Sequence, residues 1–123
     1  MRNILGVSAG FHDAAISVIN PQGDILFAAH SERYSKKKND ANLCPDIVRE
    51  LYGLNIGTIA YYERPWLKQL RRWYSGEGIE WNRIRASQVL QQQLGAMSQH
   101  CEIQTHGHHL CHAAAGFQTS PFD

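Results

Sequence analysis

With 123 residues, 12 Lys plus Arg against 11 Asp plus Glu and a formal charge of +1, the chain is long enough for one compact domain. Near-neutrality argues against broad electrostatic attachment to nucleic acid or to an anionic membrane, and a content of 43% hydrophobic and 10% aromatic residues argues against disorder. Cys44, Cys101 and Cys111 are odd in number and fall in no CxxC spacing, so neither a disulfide framework nor a cysteine zinc site is expected. No apolar run has the length of a signal segment or a membrane span, and a cytoplasmic location follows by default.

In chain order, residues 3–8 (NILGVS) predict a buried strand ending near Gly10, and residues 14–19 (AAISVI) a second. Pro21-Gln22-Gly23-Asp24 supplies turn chemistry before a third strand, ILFAAH. The polar stretch SERYSKKKNDANLCP reads as a long loop that leads to Pro45, which suits the first turn of a helix running to about Tyr52 and ended by Gly53. GTIAYYE at 57–63 predicts a fourth strand, and its place directly after a helix predicts parallel rather than hairpin pairing. Trp66, Leu70 and Trp73 recur at helical spacing over 66–74, with Trp73 expected in the core and Arg71 and Arg72 on the surface. A second helix is expected over 81–97, a short strand over 101–105, and a last helix that stops near Pro121. The fold class is therefore α/β, a mixed sheet with flanking helices.

Two segments carry the chemistry. In GHHLCHAAAGF, His108 and His112 stand four residues apart, so on a helix both imidazoles project from one face and can grip one cation. His109 points to another face, and Cys111 is expected as buried packing. In SAGFHDAA, the small residues Ser8, Ala9 and Gly10 let the backbone approach a phosphate with amides turned inward. There His12 has a pKa suited to proton transfer, and Asp13 can hold a water or a metal-bound phosphate. Taken alone, the first segment reads more readily as solvent-facing or core histidines, and the second as a plain hairpin turn.

ILGVSAGFHDAA at 4–15, SERYSKKKND at 31–40 and HHLCHAAAGFQTSPF at 108–122 resemble, in order and separation, three signatures of the NodU-type carbamoyltransferase family. The resemblance implies the first half of an actin-like ATPase domain of the Kae1-like kind, in which a His-x-x-x-His helix binds metal. It assigns His108 and His112 to a divalent transition metal (iron, manganese or zinc) and His12 and Asp13 to catalysis. It gives Ser8, Ala9, Gly10, Lys36, Lys38 and His109 to substrate or phosphate. Ser31 and Asn39 depart from the family's usual Glu and His.

The activity implied is transfer of a carbamoyl group from carbamoyl phosphate, through an ATP-dependent carbamoyl adenylate, to a hydroxyl of a small molecule. In that family a metal-completing aspartate, a second actin-like half and an adenylate-forming domain follow, so residues 1–123 are expected to be the N-terminal portion of a longer enzyme, inactive alone and prone to oligomerise. The alternatives are a relative of the tRNA threonylcarbamoyl transferases, which would need a basic RNA-binding face, and a noncatalytic metal-binding or interaction module.

Overall fold

The computed structural model describes residues 1–11 and 13–118. Its strands are β1 (Asn3–Ser8), β2 (Ala15–Ile19), β3 (Ile25–His30), β4 (Ile56–Tyr61) and β5 (Glu102–Thr105). Among the described residues they form a five-stranded sheet in the order β3-β2-β1-β4-β5. The meander β1-β2-β3 is antiparallel, whereas β4 pairs parallel with β1 and β5 parallel with β4. The expected α/β class, mixed sheet and parallel crossover are all present.

Register divides the sheet's residues between two faces. Leu5 pairs with Val18 and Ile59, and Val7 with Ile16 and Tyr61, so these six share one face, and all are buried. Helix α2 (Pro45–Arg49) brings Ile47, with Leu51 just after it, and α4 (Ala86–Leu94) brings Val89, Leu90 and Leu94 into the same core. On the opposite face Gly6 pairs with Ser17 and Ala60, and Ser8 with Ala15. That floor of small residues lies under α5 (His108–Gln118), with a cavity of about 470 Å³ reaching Cys111 and Ala115.

The structure corrects several expectations. Residues 31–44 are not all loop: Ser31–Ser35 form a short helix, α1, closed by Lys36 at φ 58°, whose amide donates to Glu32 O. A single polar turn has no apolar repeat to reveal it. Ser31 is buried there, its hydroxyl donating to Asn42 O and accepting from the Cys44 amide. The helix from Pro45 ends at Arg49, and the fourth strand spans 56–61 rather than 57–63. The helix expected over 81–97 is split into a 3-10 turn at 81–83, α4, and a 3-10 stretch at 95–100. Arg85 is extended and its amide donates to Gln88 Oε1, a start signal for α4, while Gly95 at φ +64° ends it. The stop expected near Pro121 lies outside the described residues.

Helix α3 (Pro65–Tyr74) reverses its expected orientation. Trp66, Leu70 and Trp73 keep helical spacing but are 56%, 50% and 60% exposed. The inward side is polar. Lys68 lies 3.9 Å from Glu63 and over the Phe11 ring at 4.3 Å, Gln69 Oε1 accepts from the Glu80 amide, and Arg72 lies 3.4 Å from Glu80. Trp73 is thus not core, and Arg72 is half-buried rather than a surface cation. The surface beneath α3 presents carboxylates and an aromatic ring, which these cations and the amide match better than indole would.

Candidate functional site

The carboxyl ends of the parallel strands β1, β4 and β5 lie side by side, the place where open α/β sheets receive ligands. Ser8 ends β1, Tyr62 and Glu63 follow β4, and His106 to His108 lead from β5 into α5. A cavity of about 310 Å³ opens there between Ser8, Asp13, Tyr62, His108 and His112. Residues separated by a hundred positions, from the first and third sequence signatures, thereby share one space.

Helix α5 holds the histidines as their spacing predicts. Their rings are 4.7 Å apart at 74°, and the two Nε2 atoms face each other at 3.1 Å. Two nitrogens each about 2.1 Å from one ion stand roughly 3.0–3.4 Å apart, so the pair fits two adjacent positions of a zinc-like or iron-like cation. Imidazole suits the transition metals named above. Among the described residues no group of three or more His, Cys, Asp or Glu is arranged to hold a metal. His108 also packs against Tyr62, with ring centroids 5.4 Å apart.

The β1–β2 loop is held from three sides. Tyr61, fully buried, donates its hydroxyl to Ala9 O at 2.7 Å. Burial pushes that phenol well above its ordinary pKa, Tyr62 and Glu63 add to the rise, and Arg83 opposes it. Arg83 Nη1 donates to Gly10 O at 3.0 Å. The amides of Gly10 and Ala14 donate to Ala41 O and Asp40 O in the 36–44 segment. That segment is fixed in turn by Gln93, whose Oε1 accepts from the Leu43 amide and whose Nε2 donates to Asn42 Oδ1. At Gly10, φ is +90° and an added Cβ would lie 2.9 Å from Val89 Cγ1, so glycine is required for both conformation and space.

Ser8, Asp13, His108 and His112 come together at the cavity, and the Ser8 hydroxyl donates to Asp13 O. Ala9 and Gly10 are buried, and the Gly10 amide is spent on Ala41 rather than turned toward a ligand. Lys36 and Lys38 are exposed and do not line the cavity. His109 is exposed and lines a neighbouring cavity of about 230 Å³ with Arg64 and Arg71. Cys111 is half-buried rather than packed in the core, its thiol pKa raised by burial and then by Glu63. His12 lies outside the described residues. Sequence reasoning missed Tyr61, Glu63, Lys68 and Arg83, whose roles depend on contacts across the fold rather than on any local motif.

The fold and site therefore define an α/β protein with a paired-histidine helix at the carboxyl ends of its parallel strands. No described protein family and no solved structure matches the chain. It is similar to Uncharacterized protein sll1178 of Synechocystis sp., 28% identical over an alignment of 149 positions that takes in all of this chain and 24% of that protein. The chain thus spans about a quarter of that relative's length. No helix among the described residues is long and apolar enough to cross a membrane.

Proposed function

We propose that the chain is the N-terminal part of a NodU-type carbamoyltransferase, the first half of a Kae1-like actin-type domain, acting with later segments of a longer protein. The observation that carries this reading is the convergence of Ser8 and Asp13 with His108 and His112 on one cavity, joining two signatures that lie far apart in sequence. The element order, three strands, two short helices, a strand, two longer helices, a strand and a last helix, supports the half-domain that the resemblance implies.

A divalent metal held by His108 and His112 would neutralise the phosphate of carbamoyl adenylate. The acceptor hydroxyl attacks the carbamoyl carbon, the bond from that carbon to the adenylate phosphate oxygen breaks, and AMP leaves. Asp13 lines the space in which the acceptor would sit, and His12 takes its proton. Arg64 and Arg71 offer cationic chemistry, and His109 a ring N–H, to a second phosphate in a cavity that Glu63 also lines. Lys36 and Lys38 are left as solvent-facing contributors to the local field.

The test is exchange of pyrophosphate into ATP and transfer of labelled carbamoyl groups by the longer protein carrying this chain, supplied with carbamoyl phosphate, ATP and a panel of small hydroxyl acceptors. The reading expects wild-type transfer and a loss of about a hundredfold or more in the His12→Ala variant with unchanged thermal stability. Absence of any carbamoyl-phosphate-dependent turnover by the wild type overturns it.

A further inference from the structure

We propose that Glu63 is a positioning residue that sets which ring nitrogen of His108 faces the metal, an inference that rests on the reading of His108 and His112 as a ligand pair. Glu63 directly follows Tyr62 at the carboxyl end of β4, and its side chain is only 14% exposed. Its two oxygens are oriented separately. Oε1 accepts from the Arg64 amide at 3.2 Å, while Oε2 faces Lys68 Nζ at 3.9 Å and His108 Nδ1 at 3.8 Å. Lys68 is itself seated over the Phe11 ring, so the carboxylate is braced from the β1–β2 loop and aimed at α5.

The consequence is a choice of tautomer. When two neutral imidazoles meet Nε2 to Nε2 at 3.1 Å, one nitrogen carries the proton and the other accepts it. A carboxylate oxygen beside Nδ1 of His108 is an acceptor for a proton placed there, and a proton there leaves the Nε2 lone pair bare. A metal needs that lone pair, and a carboxylate behind the ring also raises its basicity. The Glu63–His108 contact is longer than a hydrogen bond, so metal capture is expected to draw the two together by a small rotation of either side chain.

Zinc(II) titration of this chain, together with nitrogen-15 NMR of the His108 ring in the metal-free protein, tests the proposal. Wild type should carry the His108 proton on Nδ1. Glu63→Leu should weaken zinc binding about 10- to 100-fold and move that proton toward Nε2. Glu63→Gln, nearly isosteric and a neutral acceptor, should weaken zinc binding less than Glu63→Leu does, and it decides the matter if the leucine variant does not fold. If the His108→Ala, His112→Ala variant loses zinc while the Glu63 variants bind it as wild type does and keep the Nδ1 proton, the role of Glu63 is refuted and the ligand pair stands. If the double-alanine variant binds zinc as wild type does, the ligand pair itself fails and the inference falls with it.

Discussion

Tyr61→Phe isolates the hydrogen bond that ties the sheet to the loop at the site. The ring stays, so core packing is unchanged, and only the hydroxyl that donates to Ala9 O at 2.7 Å is removed. Tyr61 and Ala9 are both fully buried, so the carbonyl is left in the core without that donor. Stranding a buried acceptor costs about 1–3 kcal/mol. At roughly 2.1 cal/mol/K of unfolding entropy per residue, a chain of this length loses about 4 °C per kcal/mol, so the midpoint should fall by about 4–12 °C. Urea unfolding followed by circular dichroism should show a lower midpoint at an unchanged slope. The pH dependence adds an independent check. Burial raises the folded phenol's pKa, so its contribution is complete below the unfolded value near 10 and is lost as pH rises above it. The phenylalanine variant lacks that share of the alkaline decline. A stability change below about 0.5 kcal/mol would mean that Ala9 O finds water or another donor, and would refute the clamp.

Two further outcomes follow from other parts of the molecule. The Asp40 carboxyl is held below its ordinary pKa by the Asn42 amide first, then the Ser35 hydroxyl and the Lys37 charge, against the opposing effect of burial. Its contribution is therefore present above the ordinary value of 3.8 and is lost as pH falls through the lowered one, so Asp40→Asn should flatten the acid limb of a stability–pH curve, and parallel limbs would disprove it. Replacing Trp66, Leu70 and Trp73 together with Gln should change thermal stability by less than about 1 kcal/mol, because all three are at least half exposed. It should also reduce self-association in sedimentation velocity, and an unchanged wild-type oligomer distribution would show that this stripe does not drive assembly.

The strands were legible because their signal is local. Leu5 and Val7, or Ile16 and Val18, alternate in register with the face they bury, and the helices between β3 and β4 carry the chain back to pair parallel with β1. The histidine pair was legible for the same reason, since a four-residue spacing on a helix fixes its geometry without reference to anything else. Helix α3 shows where such reasoning stops. Periodicity located the stripe of Trp66, Leu70 and Trp73 correctly, but the side that faces inward depends on what lies beneath it. There Phe11, Glu63 and Glu80 select Lys68, Gln69 and Arg72. Glu63 and Arg83 stayed invisible because their partners, His108 and Gly10, lie 45 and 73 positions away.

The floor of Gly6, Ala15, Ser17 and Ala60 keeps a space open beneath α5. A Cβ on Gly6 would already touch Ser17 Oγ at 3.0 Å, so even one methyl there has to be accommodated by its neighbours. Side chains of valine or leucine size along that floor would enter the cavity of about 470 Å³ that separates it from Cys111 and Ala115 before they met the helix. An enlargement at Ala60 would be read out as lost volume beside Cys111 and Ala115, although no charge and no hydrogen bond had changed.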